Sequence, residues 1–262
     1  MKISIGLFGF GRTGTLVADE LIKDQECELQ WVMKDSMEHT GEFASHLLGH
    51  LHAEGRIFSI HEVDFDRFYV ENPVDVIIDL SSSCAVKEYQ HAVKYGSRIV
   101  SAISNYAPGD MERLRALSQQ TAILYSSNAA SGINFLIEAS KLLQGIVPDS
   151  NIEIIEEHLK EKISGTASSL AKVIGLDEEQ HMNSIRDGVI EKHEVVVGLP
   201  NQTIRIIHET HNRVAFEQEV IYAAKWIMSK GAGVYKMEQA LSQIKMKHFI
   251  GSKERASPVF IN

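Results

Sequence analysis

"KISIGLFGFGRTGTLVADELIKD", residues 2–24, decides the fold. It opens as a short strand-like run, "ISIGLFGF", and closes as a helical pattern, "GTLVADELIKD". Between them Gly9-Phe10-Gly11-Arg12-Thr13-Gly14 forms a G-x-G-x-x-G at the strand-to-helix turn. Glycines there permit a tight turn and let the backbone approach a pyrophosphate, which then sits on the helix N-terminus. The same glycines would also serve plain helix–strand packing. Their place at the opening of a β-α-β unit makes dinucleotide binding the expectation.

Working outward, Lys34-Asp35 ends the next strand, roughly twenty residues on, where a ribose-reading group belongs. Asp35 suits the 2′-hydroxyl of NAD, whereas Lys34 with Arg12 suits the 2′-phosphate of NADP. Both NADPH and NADH therefore stay open, beside the plainer reading of a solvated strand end. Apolar runs such as "VDVIIDLS", "RIVSAIS" and "AILYSS" then alternate with helical patterns, "AVKEYQHAVKYG" and "GDMERLRALSQQ". That alternation indicates a parallel sheet covered on both faces.

After "YSSNAASG" the pattern changes. A helix, "INFLIEASKLLQGI", leads to "NIEIIEEHL" and the helical "TASSLAKVIGL". Strand-like runs follow, separated by short connections rich in Gly, Pro and Asn, so an antiparallel or mixed sheet is expected. The reading is α/β with two domains. Residues 1–127 and 238–262 form an N-terminal Rossmann dinucleotide-binding domain, and 128–237 an α+β substrate and oligomerisation domain with a mixed open sheet.

A chain of 262 residues, 44% hydrophobic, can bury a sizeable core. The formal charge of −9 argues against a nucleic-acid partner. No apolar run is long enough to cross a bilayer, and Met1 leads into a strand rather than a signal peptide, so a cytoplasmic location is expected. Cys27 and Cys84, without metal spacing, read as buried free thiols of a reducing compartment.

The second chemical signal is "EEHLKEKISGTASSL", residues 156–170. His158 and Lys162 stand four apart, ahead of Ser164-Gly165-Thr166 and a helix start. A histidine beside a lysine can deliver a proton near neutral pH while the ammonium balances a carboxylate. Backbone N–H groups at a helix start bind a carboxylate as they stand. The bland alternative is a capped helix with His158 and Lys162 as surface charges among Glu156, Glu157 and Glu161. Glu156 or Glu157 would orient the histidine, and the sequence does not choose between them.

The stretch "NIEIIEEHLKEK…SGTA" resembles the signature of the dihydrodipicolinate reductases, a strand ending Glu-x-His-His, a lysine four residues after the first His, then Pro-Ser-Gly-Thr-Ala. "GFGRTG" resembles that family's nucleotide loop and "SSNAASGINFL" its hinge segment. "IRDGVIEKHEVVVGLPNQTIRIIHETHNRVAF" and "AAKWI…GVYKMEQAL" resemble its later patterns, so most of the chain is covered in order. The resemblance implies reduction of a cyclic unsaturated dicarboxylate by NADPH or NADH, in lysine and diaminopimelate biosynthesis, by a homotetramer. It implies His158 as general acid, Lys162 as the substrate's partner, and Ser164, Gly165 and Thr166 as carboxylate ligands. It implies cofactor contacts at Gly9–Gly14, Lys34, Asp35, Ser81, Ser101, Ser127 and Asn128, with hinges near Asn128 and Met237.

Three departures fall inside the implied site. Leu159 stands where the family has its second His, Lys162-Ile163-Ser164 shortens the linker, and Leu80-Ser81 and Ser101-Ala102-Ile103-Ser104 replace Phe-Thr and Gly-Thr-Thr-Gly. Fewer polar donors should weaken the hold on a dianion. Two alternatives follow: an imine reductase or amine dehydrogenase acting on a less charged substrate, or a non-catalytic nucleotide-binding redox sensor. "HLLGHLH" (His46, His50, His52) has the i, i+4 spacing of zinc ligands but lacks a companion Glu, and no metal is expected. His208 and His211 lie on opposite strand faces, and their match to the family pattern implies a structural role or the edge of the substrate cleft; Arg213 reads as an interface ion pair or a carboxylate ligand, and Trp226 as packing in the substrate domain.

Overall fold

The computed structural model describes residues 1–103, 106–126, 131–148, 150–158, 166–185, 191–210 and 214–241. Strands β1 (Ile3–Phe8), β2 (Cys27–Lys34), β3 (Arg56–Ser59), β4 (Val76–Asp79), β5 (Arg98–Ser101) and β6 (Ala122–Tyr125) come first. Then follow β7 (Asn151–Glu157), β8 (Met182–Ile185), β9 (Glu191–Leu199), β10 (Gln202–Thr210) and β11 (Gly233–Tyr235). The α-helices are α1 (Arg12–Lys23), α2 (Ala44–Leu47), α3 (Phe65–Glu71), α4 (Val86–Tyr89), α5 (Pro108–Leu117), α6 (Ser131–Ile146), α7 (Thr166–Val173), α8 (Glu178–His181) and α9 (Val214–Ile227).

Two compact units result, Met1–Ser127 with Val220–Asn262, and Asn128–Glu219. The return to the first unit falls at Val220, within α9, rather than at 238. The reason is β11, which pairs in parallel with β6 and so needs the chain back before residue 233. Three residues, "GVY", carry too short an apolar run to announce a strand. Trp226 accordingly belongs to the first unit, where it meets the Tyr235 ring at 5.6 Å.

Among the described residues of the first unit seven strands stand in the order β11-β6-β5-β4-β1-β2-β3, every neighbouring pair parallel. The chain builds outward from β1 to β3, then crosses to β4 and builds the other way. The order reverses between β1 and β4, and the crevice beyond the carboxyl ends at such a reversal is where open α/β sheets take ligands. Burial follows the apolar runs: all four residues of β4 and the last four of β1 are buried, as a sheet covered on both faces requires. Gly6 makes room for Trp31, since a Cβ there would stand 2.2 Å from the indole, and Phe8, Phe68 and Tyr69 pack around that ring. The expected helix over "AVKEYQHAVKYG" is instead α4 flanked by short 3₁₀ turns. Buried Val86, Tyr89 and Ala92 recur every three residues, the period of the tighter helix.

Among its described residues the second unit has a four-stranded mixed sheet, β10-β9-β7-β8, in which β7 and β8 run parallel and the other pairs antiparallel. Its core face presents Ile152 and Ile154 from β7 and Val195 and Val197 from β9. Ile133, Leu136 and Ile137 of α6 and Ala167, Leu170 and Ala171 of α7 cover that face. Each fully buried Ile, Leu or Val there contributes roughly 1.5–3 kcal/mol.

Candidate active site

The first unit presents its signature at the carboxyl ends of β1, β2, β4 and β5. Gly9 follows β1 with φ +97°, a left-handed conformation that disfavours a side chain. Gly14 lies in the first turn of α1, where a Cβ would come 2.0 Å from the Gly9 carbonyl oxygen, so only glycine lets helix and turn close up. A Cβ on Gly11 would meet nothing within 4 Å. That open backbone, at the N-cap of a helix with no acidic residue in its first turn, is the approach a pyrophosphate needs. The three glycines thus carry three different roles, and the cradle fits a dinucleotide. Phe10 is half-buried beside them, Arg12 exposed and Thr13 half-buried.

Lys34 and Asp35 end β2 next to β1. Lys34 Nζ donates to the Glu38 carbonyl at 3.0 Å, and Asp35, an exposed carboxylate, meets His61 Nε2 at 3.0 Å. Neither sign is removed from the ribose-reading corner. Beyond β4, the Ser81 N–H and hydroxyl both donate to Asp79 Oδ1, at 3.0 and 2.7 Å. Burial nevertheless pushes the Asp79 carboxyl up to about 6. Beyond β5, the Ser101 hydroxyl meets Tyr106 at 2.7 Å, and Tyr106 meets Tyr89 at 3.0 Å. Ser127 and Asn128 lie outside the described residues.

The second unit assembles its ionisable groups by strand register. Along β7 the buried positions are Ile152, Ile154 and Glu156, and His158 follows just past the strand end. The buried face therefore turns from apolar to ionisable in its last two places. Alternation settles what the sequence left open: Glu156, not the half-buried Glu157, shares the face of His158. The His158 N–H donates to the Ile185 carbonyl at 2.9 Å, which carries the β7–β8 ladder one residue further.

Glu156 is paired in register with Ser184 on β8 and His193 on β9, and His193 with His208 on β10. Ser184, Glu156, His193 and His208 thus form one rung across all four strands. The Ser184 hydroxyl donates to Glu156 Oε2 at 3.0 Å, while Glu156 Oε1 meets His158 Nε2 at 2.9 Å. His193 Nε2 stands 3.5 Å from the same Oε1, and its ring meets that of His158 edge-on at 5.1 Å. Burial, then the neighbouring His193, lowers the His208 imidazole below its ordinary value. His208 also packs on α6, where a Cβ on Gly132 would strike its ring at 2.2 Å. It is a packed member of the rung.

Among the sequence-selected residues, Lys162, Ser164 and Gly165 lie outside the described residues, as do His211 and Arg213. Thr166 is the first residue of α7. The reading that made His158 a surface charge is overturned, since its side chain is 0% exposed. Sequence reasoning did not single out Ser184 or His193. For His193 the available signal was alternation with Val195 and Val197, which puts all three on the core face. In "HLLGHLH" His46 is exposed, His50 bonds Asp19 at 2.7 Å, and His52, whose ring meets that of His50 edge-on at 5.9 Å, bonds Glu54 at 3.0 Å.

Known proteins resemble this chain in sequence and in fold. The family model for the dihydrodipicolinate reductase N-terminus matches residues 3–129, and that for its C-terminus residues 132–241. The 4-hydroxy-tetrahydrodipicolinate reductase of Buchnera aphidicola subsp. Acyrthosiphon pisum (strain Tuc7) is 30% identical over 220 residues, 72% of this chain and 82% of that protein. The enzyme of the same name from Psychrobacter arcticus is 27% identical, covering 91% of this chain and 95% of its own. Among solved structures, dipicolinate-bound dihydrodipicolinate reductase from Paenisporosarcina sp. TG-14 superposes with a TM-score of 0.73 at 20% identity, covering 91% of this chain and 99% of its own.

Proposed function

The chain belongs to the dihydrodipicolinate reductase family, and from that premise we propose that it reduces dihydrodipicolinate to the tetrahydro form with NAD(P)H, in lysine and diaminopimelate biosynthesis. Bound at the glycine cradle, the nicotinamide cofactor supplies a hydride. Gly9, Phe10, Gly11, Arg12, Thr13 and Gly14 would hold its pyrophosphate, Lys34 and Asp35 its ribose, and Ser81, Ser101, Ser127 and Asn128 its remaining length. Lys34 supports NADPH and Asp35 supports NADH.

A reduced carbon skeleton needs a proton, and His158 is the donor. The observation that carries this reading is its Nε2 at 2.9 Å from Glu156 Oε1 in a fully buried setting. The carboxylate fixes the ring and stabilises the imidazolium. With Nε2 directed at Glu156, proton delivery falls to Nδ1. Lys162 would balance a substrate carboxylate, and Ser164, Gly165 and Thr166 would bind it at the N-terminus of α7, whose first-turn N–H groups have no acceptor within the helix. The amine dehydrogenase or imine reductase reading is not favoured by the names of the curated relatives, and a redox sensor has no use for a buried acid pair.

A homotetramer fits the nine-residue edge strand β10, which leaves Ile207 51% exposed. Among the described residues no helix is long and apolar enough to cross a membrane, and the location we infer is the cytoplasm. The test is oxidation of NADPH and of NADH with freshly made dihydrodipicolinate precursor, wild type beside His158→Ala. Robust turnover that collapses in the variant is expected. Tight nucleotide binding without wild-type turnover would sink the substrate assignment.

A further inference from the structure

We propose that Glu156, His158 and His193 form a binding site for a divalent transition-metal cation of the Zn²⁺ type, and that occupancy of this site reversibly switches off proton donation by His158. Each residue offers one ligand atom, and the three atoms lie within 4.8 Å of one another. Two imidazoles and one carboxylate are a donor set that zinc enzymes use, and imidazole selects Zn²⁺ or Co²⁺ over Mg²⁺ or Ca²⁺. Ligands about 2.0–2.2 Å from a tetrahedral ion stand roughly 3.3–3.5 Å apart. The two contacts on Glu156 Oε1, 2.9 Å to His158 Nε2 and 3.5 Å to His193 Nε2, bracket that separation. Small side-chain movements would admit an ion.

His193 is the second, independent observation. Its side chain is 4% exposed, and neither ring nitrogen has a hydrogen-bond partner among the described residues. A buried imidazole aimed at a carboxylate but misaligned for a hydrogen bond is an available ligand. The site also has its outer support: the Ser184 hydroxyl holds Glu156 Oε2, which leaves Oε1 directed at the two imidazoles. Strand register fixes all of this, since Glu156 lies opposite His193 on one side and Ser184 on the other.

Metal binding requires a lone pair on each Nε2. In the imidazolium, where Nδ1 already carries the proton to be delivered, the proton on His158 Nε2 therefore goes to solvent, and two electron pairs from nitrogen and one from oxygen go to the cation. No redox step is involved. A metal-held His158 cannot cycle its proton, so cation and turnover exclude one another. The inhibition rests on the role proposed above for His158, whereas the binding does not.

The experiment titrates chelator-treated full-length protein with Co²⁺ and reads the visible d–d absorption, with Zn²⁺ competing for the same site. One equivalent of Co²⁺ giving a tetrahedral or five-coordinate spectrum, displaced by Zn²⁺, is expected. His193→Ala and Glu156→Gln should each weaken binding roughly tenfold or more, while His52→Ala, at the other histidine cluster, leaves it unchanged. Wild-type protein with no visible band, or binding lost in His52→Ala and kept in His193→Ala, would overturn the site, even if a variant at residue 193 fails to fold. In the reductase assay Zn²⁺ should inhibit and a chelator restore the rate. Stoichiometric Co²⁺ binding with full turnover would overturn the switch. An enzyme inactive on the precursor would sink the substrate assignment while the spectrum still decides the metal site.

Discussion

The two chemical regions of this chain are built on opposite principles. The cradle after β1 is made of backbone: Gly9, Gly11 and Gly14 act through a torsion angle, an open approach and a close contact, all within six consecutive residues. The rung across β8, β7, β9 and β10 is made of side chains drawn from four strands, and Glu156 meets His193 only because the sheet register puts them opposite one another. A backbone site is written locally and tolerates drift around it. A side-chain site is written in the pairing of distant strands, and a register shift of one residue would turn every member to the other face.

The largest effect should come from the side-chain region. His158→Ala should lower kcat by about 10²–10⁴-fold while leaving nucleotide affinity, measured by fluorescence titration, close to wild type. Loss of both together would erase the division between the regions. Gly14→Ala attacks the other side, since its Cβ would fall 2.0 Å from a backbone oxygen that cannot swing away. A loss of about 3 kcal/mol in urea unfolding is expected, with weaker nucleotide binding, whereas a variant that binds as well as wild type would show that the cradle gives where the contact says it cannot.

Asp79 sharpens the comparison as an ionisable side chain set in the backbone-built region. Its folded-state carboxyl, pushed up to about 6 from an ordinary 3.8, holds a proton that the unfolded chain has released. Its contribution is therefore most favourable at low pH and is lost as pH rises through about 6, at a cost of up to about 3 kcal/mol. Asp79→Asn should flatten this dependence when denaturant midpoints are compared at pH 4 and pH 7, on either side of the window from 3.8 to about 6. The smallest effect is expected from Ser184→Ala, which removes one hydrogen bond to Glu156. About 1 kcal/mol, read as a several-fold fall in kcat with KM unchanged, would place Ser184 behind His158 rather than against the substrate.

The same contrast explains what the sequence could reveal. The parallel sheet, the cradle and the β7 strand were legible because apolar runs, glycine spacing and the alternation of Ile152 and Ile154 are local. Glu156 was narrowed to one of two neighbours, and only the pleat chose between them. Ser184 and His193 went unselected because their meaning depends on strands 28 and 37 residues away from Glu156, a pairing no local pattern encodes. β11 was missed for a different reason, its brevity, and with it the point where the chain returns to the first unit.

That short strand has a consequence for synthesis. The chain is made from its N-terminus, and β6 is complete by Tyr125, yet its outer partner is not made until Gly233–Tyr235. The whole of Asn128–Glu219 is translated in between. Throughout that interval β6 stands as an unpaired sheet edge with the buried run Ala122–Leu124 beside it, the kind of edge on which nascent chains associate wrongly. Among the described residues, the last strand to be made is thus the one that seals the first sheet.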